Sequence, residues 1–319
     1  MIVLFTNGFH KIMIKKKLYK VKLRYGENPN QKAYFQSKIA KSYFDNKIQG
    51  KKLSYNNLLD ISDGIKCIKE FSDSTCVIIK HNNPCGVASG KNIEKAFQKT
   101  LKADSLSAFG GIVVLNRNIS FKLAKILNNY FFEVIVAPSF NSKSLDVFKQ
   151  KKNLILINSK KIKHIKQKNI KSVYSGELFQ DENNFKVNHN SIKQLTKKKV
   201  SKKNLNDLVF AYKVAKHVKS NSVVLVDNQQ TIGIGAGQMS RYDAVRVAIM
   251  KKNDNYKEKK FVCASDAFFP FTDNIKLLKK YGCKAIVKPM GSINDEKIIK
   301  YAIKNNIHLY AAKYRVFKH

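Results

Sequence analysis

The amino-acid sequence predicts an α/β protein of two helix-covered sheets, and three observations carry that prediction. Segments with a hydrophobic period near 3.6 alternate with short apolar runs, the pattern of helices laid on sheets. Hydrophobic residues make up 44% of the 319 positions, enough for real cores and against disorder along the whole chain. The alternation occurs twice, on either side of a polar stretch at 140–203.

Leu58, Ile61, Ile65 and Ile68 recur at spacings of three and four and form one helix face. Residues 75–80 are a short apolar strand. A helix at 93–102, a strand at 111–115, a helix at 121–129 and a strand at 133–137 follow. The stretch 140–203 is rich in Lys, Asn and Ser and reads as a solvated connection, apart from a short strand at 153–157. The alternation resumes with a helix at 205–219, a strand at 222–226 and a hairpin return at 231–235. Ser240 and Asp243 cap a helix carrying Ala244, Val245, Ala248 and Ile249. Strands near 260–264, 284–288 and 307–312 are separated by helices near 273–281 and 294–305. This order gives a lead segment at 1–23, a first lobe at 24–195 and a second lobe at 196–319. The lobes share their element order, and no residue-level repeat is evident.

No apolar run approaches the ~18 residues of a membrane span. Met1 to Phe5 is apolar, but the basic cluster Lys15, Lys16 and Lys17 follows it, the reverse of a secretory signal. Five cysteines without a C-x-x-C pair suit reduced thiols, so the expected location is cytoplasmic. The formal net charge of +39 would suit a nucleic-acid binder. However, only five of the 61 basic residues are arginines: Arg24, Arg117, Arg241, Arg246 and Arg315. Lys, Asn and Ile, all abundant here, have AT-rich codons. Mutational bias explains the charge more simply than a specific nucleic-acid function, although phosphate attraction needs only charge.

Against that background the rarer residues carry information. Lys80-His81-Asn82-Asn83-Pro84-Cys85-Gly86 follows a buried-type strand, at the kind of end where α/β sheets bind ligands. A lysine beside a histidine offers a fixed cation next to a proton acceptor, and the Asn-Pro-Cys-Gly phrase reads as a turn that fixes their direction. Zinc deaminase chemistry needs H-x-E and P-C-x-x-C. Asn83 stands at the Glu position and Ala88 at the second Cys, so no zinc is expected. Gly233, Gly235 and Gly237 precede a capped helix, with Gln238 where a dinucleotide loop needs Gly. A tight turn and an anion site at the helix N-terminus both remain open, and Arg241 favours a carboxylate or phosphate ligand. Ser265-Asp266-Ala267-Phe268-Phe269-Pro270-Phe271-Thr272-Asp273 suits either core plus an N-cap or an aromatic wall with acidic groups. Tyr314 to His319 alternates basic and aromatic residues, as in a frayed tail or a phosphate clamp.

Taken in order, these phrases resemble the transformylase region of the AICAR transformylase/IMP cyclohydrolase family. Further matching stretches are Leu23 to Gln31, Leu53 to Asn57, Ala103 to Gly111, Glu133 to Pro138 and Lys219 to Ser222, and the likeness runs from about residue 23 to 319. The resemblance implies two cytidine-deaminase-like α/β/α lobes without zinc, in a homodimer with active sites at the subunit interface. It implies formyl transfer from 10-formyltetrahydrofolate to the 5-amino group of AICAR, giving FAICAR and tetrahydrofolate. The family's catalytic His and Lys match His81 and Lys80. Its AICAR contacts match Arg24, Tyr25, Gly110, Glu133, Asn221, Phe268 and Arg315. Its folate-side contacts match Arg241, Asp273, Ser292 and Ile293. A bound potassium ion is compatible with the resemblance. Asn30 stands where the family has His, and Met290 where it has Gly, which removes backbone freedom at that turn. The family's cyclohydrolase domain precedes this region, and residues 1–22 are too few for a second core. The expectation is a monofunctional transformylase without cyclohydrolase activity. The rival reading is a drifted basic protein that binds RNA.

Overall fold

The computed structural model describes residues 18–38, 43–162, 164–165, 168–197 and 199–319. Tyr19–Lys22 (β1) and Tyr34–Ser37 (β2) pair as a small antiparallel ladder. The first lobe then runs Lys47–Gln49 (β3), Tyr55–Ile68 (α1), Ser74–Lys80 (β4), Asn83–Gly90 (β5), Ile93–Ala103 (α2), Ser105–Ala108 (α3), Ile112–Leu115 (β6), Phe121–Asn128 (α4), Val134–Ala137 (β7), Ser142–Phe148 (α5) and Ile155–Asn158 (β8). An exposed hairpin follows, Asn169–Val173 (β9) with Gly176–Gln180 (β10). The second lobe runs Ile192–Gln194 (β11), Lys202–Ala215 (α6), Val223–Val226 (β12), Thr231–Gly235 (β13), Arg241–Tyr256 (α7), Phe261–Ser265 (β14), Asp273–Lys280 (α8), Cys283–Pro289 (β15), Asp295–Lys304 (α9) and His308–Ala312 (β16).

The two sheets have one topology. The first orders its strands β3-β8-β7-β6-β4-β5 and the second β11-β16-β15-β14-β12-β13. In each, the second and third pairings are parallel and the other three antiparallel. A residue-level repeat accompanies the topology. Ser54-x-x-Asn57-Leu58-x-Asp60 opens α1, and Ser201-x-x-Asn204-Leu205-x-Asp207 opens α6, each serine capping its helix by accepting the asparagine amide.

Strand period two sorts side chains to opposite faces. Val77 and Ile79 of β4 face a central core shared with α1, α6 and the inner face of the second sheet. Cys76 and Ile78 face an outer core under α2, α4 and α5. The outer face of the second sheet lies under α7, α8 and α9.

Three expectations need correction. The stretch 140–203 is more than a connection with one short strand: besides the strand expected at 153–157, which is the buried β8, it supplies α5, the β9–β10 hairpin and β11. β11 lies before residue 195 yet pairs with β16 in the second sheet. Strands of three to five residues among lysines show too little alternation to read, and their sheet partners decide them. Asn83-Pro84-Cys85-Gly86 is not a turn but the start of β5, with Pro84 opposite Ile79. β5 is an edge strand, where a missing proline N–H costs no ladder bond. The turn is His81-Asn82, both left-handed at φ 52 and 62. Finally, Gly233 and Gly235 form no phosphate loop. A Cβ on either would lie 2.1 Å from the Ala248 carbonyl and 1.9 Å from that of Ala244, so they let β13 press against α7.

Edge strands β5 and β13 lie side by side. The Val87 N–H donates to Thr231 Oγ1 at 3.0 Å, and the Ser89 N–H to the Gln229 carbonyl at 2.9 Å. Below α1, Glu70 reaches the second lobe, meeting Lys216 Nζ at 2.8 Å and His217 Nε2 at 3.2 Å. Burial lifts the Glu70 carboxyl, but the bonds from His217 and Lys216 outweigh it and hold it below the ordinary range. A depressed carboxyl stabilises the fold above its unfolded pKa, and that contribution is lost as pH falls through the folded value. Glu70→Gln should therefore cost about 1–3 kcal/mol at neutral pH by urea denaturation. The gap to wild type should close as pH falls below about 4.3; a gap constant across that range would refute the assignment.

Candidate functional site

Lys80 ends β4 and donates to the Phe109 carbonyl at 2.8 Å. His81 is exposed in the β4–β5 turn. The turn is tied to α1 by Asp60, which accepts the Asn82 N–H at 2.6 Å, and by Asp63, which accepts the Asn82 side-chain amide at 3.1 Å. It is tied to the second lobe by the Lys219 N–H on Asn83 Oδ1 at 2.8 Å and by Lys318 Nζ on the Asn82 carbonyl at 3.0 Å.

β4 runs antiparallel to β6, so its end meets the N-terminal ends of β6 and β7. Gly110, at φ 71, and Glu133 lie there, stitched by the Gly110 N–H on the Phe131 carbonyl and the Glu133 N–H on the Gly111 carbonyl. Glu133 accepts from Asn57 Nδ2 at 3.0 Å and meets Lys51 at 3.3 Å. Asn56 donates to the Glu27 carbonyl at 3.2 Å, which brings the loop of Arg24 and Tyr25 to the start of α1. Arg24 is exposed above the Tyr25 ring, 5.4 Å from its centroid. Lys80, His81, Gly110, Glu133, Arg24 and Tyr25 thus share one edge of the first lobe.

A second group lies where β14 ends and β12 begins. Arg241 does not point at open solvent. It is 8% exposed and bonds Asp266, Ser265 Oγ at 3.0 Å and Asn221 Oδ1 at 2.7 Å. The carboxylate that its fork meets is therefore internal. Asp266, fully buried, also accepts from Ser220 Oγ at 2.7 Å, so it is not an exposed acid on an aromatic wall. The tail is not frayed. The Val316 N–H donates to the Asp266 carbonyl at 3.0 Å, and the Ser220 N–H to the Lys318 carbonyl at 2.9 Å. Arg315 stays exposed, 4.4 Å from the Phe317 ring centroid. Phe268 is half-buried while Phe269 is in the core.

The remaining folate-side candidates lie beyond Phe268. Thr272 precedes α8 without a side-chain cap bond, and Asp273 Oδ1 accepts its neighbour's Asn274 N–H at 2.7 Å. The Ser292 N–H donates to Asp295 at 2.9 Å, Ile293 is fully exposed, and Asn294 bonds the Pro270 carbonyl at 2.8 Å. The left-handed position in this turn is Gly291, at φ 122, so Met290 does not need glycine's freedom.

A cavity of about 430 Å³ joins the lobes beside Lys80 and His81, closed by Gly233, Ile234 and Ala236. Four of its residues, Cys85, Asp104, Ser107 and Lys251, have no site role in the sequence reading. Asp104 bridges to Lys251 at 2.7 Å and to Ser107 Oγ at 2.7 Å. Burial works against this carboxyl, but Lys251 and Ser107 hold it below the usual range. No local spacing signals that pair, because its members belong to different lobes. Cys85 also lines the cavity, with its thiol pushed up to about 12 by burial, which leaves it a poor nucleophile at neutral pH. Among the described residues, no three His, Cys, Asp or Glu side chains cluster as metal ligands.

Together these features define a duplicated α/β protein with a polar Lys-His site at the lobe junction. A family model, the AICARFT/IMPCHase bienzyme, matches residues 5–251. The chain is 44% identical over 305 residues to the bifunctional purine biosynthesis protein PurH of Buchnera aphidicola subsp. Baizongia pistaciae, covering 93% of this chain and 58% of that protein. Identity to PurH of Halalkalibacterium halodurans is 42% over 302 residues, with 93% and 59% covered. For PurH of Persephonella marina it is 43% over 311 residues, with the same coverage. The chain belongs to the AICARFT/IMPCHase bienzyme family, and it spans about three-fifths of the length of these curated relatives.

Arg241→Met should destabilise the fold by about 3–5 kcal/mol, because Asp266 would be left buried without its cation. Chemical denaturation measures the loss. An unchanged midpoint would mean that Arg241 is free to serve a ligand alone.

Proposed function

We propose that this chain transfers the formyl group of 10-formyltetrahydrofolate to the 5-amino group of AICAR, in purine biosynthesis and in the cytoplasm. The observation that supports this reading best is the Lys80-His81 pair, held on a clamped turn beside a cavity at the lobe junction. The AICAR nitrogen attacks the formyl carbon, and His81 takes the proton that nitrogen loses. Lys80 faces the oxyanion of the tetrahedral intermediate. Collapse breaks the bond between the formyl carbon and N10 of the folate, and the proton held by His81 goes to N10. FAICAR and tetrahydrofolate leave.

Arg24 and Arg315 suit the AICAR phosphate: each is an exposed fork held over an aromatic ring. Tyr25, Gly110, Glu133, Asn221 and Phe268 complete the AICAR side; Asp273, Ser292 and Ile293 serve the folate. Arg241 acts here by holding Asn221 rather than by touching the folate. Two cytidine-deaminase-like lobes account for the duplicated topology. A homodimer would cover exposed Leu106, Phe109, Phe131 and Met239, which lie beside these groups. Lysines stand on every described α-helix except Ser105–Ala108, the distribution of a compositional bias rather than of a dedicated RNA face.

The direct test supplies AICAR and 10-formyltetrahydrofolate to the pure protein and follows FAICAR. His81→Ala should lower turnover by ~10²–10⁴-fold while AICAR still binds; an unchanged turnover number would remove His81 from the chemistry. Arg315→Lys should weaken AICAR binding by ~1–3 kcal/mol, since the charge remains but the fork is lost. The dephosphorylated riboside should lose nothing, and equal losses for both would rule out a phosphate contact.

A further inference from the structure

We propose that Asp60 is the positioning residue for His81: its carboxylate holds the backbone of the His81-Asn82 turn so that the imidazole faces the reacting amine. The inference rests on the proposed formyl transfer and goes beyond it by naming what orients the proton acceptor.

The turn needs a holder. Two successive non-glycine residues are left-handed, which L-residues adopt at a cost, though Asn and His pay less than most. Such a conformation persists where surrounding contacts over-determine it. Asp60 Oδ1 accepts the Asn82 N–H at 2.6 Å, and the His81 amide pulls on the same carboxyl. Among the described residues, Asp63 bonds the Asn82 side chain and Lys318 and no main-chain N–H of the turn. Asp60 therefore acts on the main chain from which the His81 side chain springs. Its platform is rigid, because Leu58, Ile61 and Ile68 of the same helix are packed in the central core.

Two further observations separate Asp60 from an ordinary surface acid. Lys and Arg outnumber Asp and Glu 61 to 22, yet no described ion pair involves Asp60. The device also recurs. Asp207, sixth residue of α6 as Asp60 is of α1, accepts the Asn228 N–H at 2.9 Å and the Gln229 N–H at 2.7 Å. Those residues form the left-handed β12–β13 turn, at φ 53 and 51. Each aspartate lies 22 residues before the second turn residue. The fold thus uses one clamp twice. In the second lobe it holds a turn of two amides and is itself braced by Lys203 at 3.6 Å. In the first it holds the histidine.

The test compares Asp60→Ala, Asp60→Asn and Asp207→Ala in the full chain. Asp60→Ala removes the acceptor and should lower kcat by about 10–100-fold, the scale of a misplaced reacting group. The KM for AICAR should stay within about twofold of wild type. Asp60→Asn keeps an acceptor oxygen and should recover most of the turnover. Hydrogen exchange of the Asn82 amide should rise by about tenfold or more in Asp60→Ala only. Asp207→Ala should expose the Gln229 amide instead and leave kcat unchanged. Unchanged kcat in Asp60→Ala, equal losses in Asp60→Ala and Asp207→Ala, or an unmoved Asn82 amide would overturn the proposal. A wild-type chain that forms no FAICAR would instead sink the proposed function, and the exchange measurement would still decide whether Asp60 holds the turn.

Discussion

The buried pair of Arg241 and Asp266 is the contact on which the candidate-site edge of the second lobe depends. Asp266 accepts from Arg241 and from Ser220 Oγ, and its carbonyl accepts the Val316 N–H. Ser220 Oγ accepts the Lys318 N–H at 3.1 Å, and Lys318 Nζ reaches Asp63 and Asn82 at 3.0 Å. A connected run of hydrogen bonds therefore leads from the start of α7, through the chain end, to the turn that carries His81. Burying an ion pair returns little net stability, since both partners lose their water. What it fixes here is geometry: Asn221, the tail with Arg315 and the His81 turn are all referred to one buried carboxylate.

That network explains which parts of the site are legible in the sequence. The α/β class and most core elements follow from local periodicity, and their ends agree with the structure to within a few residues, save the helix expected at 205–219, which starts at Lys202 and ends at Ala215. Lys80, His81 and the arginines stand out because each is a chemically particular residue in a lysine-rich background. Arg241 shows where this logic stops. Its scarcity marks it as important, but its partner Asp266 lies 25 residues away, and nothing local distinguishes an internal carboxylate from a ligand's. Asp60 and Asp63 are the converse case. Carboxylates on a helix beside apolar positions read as its solvated face, and their partners are 22 and 255 residues distant.

The duplication adds a second reason. Both sheets share one topology, but the site groups use opposite edges of the two copies. In the first lobe they gather at the N-terminal ends of β6 and β7; in the second they gather after the C-terminal end of β14. The rule that α/β sheets bind ligands beyond their strand C-termini fits the second-lobe candidates and Lys80-His81, at the C-terminal end of β4, but not Gly110 and Glu133, which precede β6 and β7. In the first lobe the candidate pair Lys80-His81 comes from an antiparallel hairpin, β4–β5, whose turn reaches the junction. A shared fold therefore does not locate the site; the particular turn and its clamp do.

The charge balance gives the last step. With 61 basic and 22 acidic residues, a carboxylate at the surface finds a lysine almost anywhere, as Asp146 does with Lys149. Such exposed pairs contribute little, about 0–1 kcal/mol each, and tolerate exchange. The acids that govern the site do not work this way. Asp266 takes the planar fork of a rare arginine, and Asp60 takes a main-chain amide that no change of side chain removes, short of proline. Directional partners are selected by geometry, whereas lysine supplies charge from many positions. A surface can therefore drift far toward lysine while the contacts that aim Lys80 and His81 remain as they are.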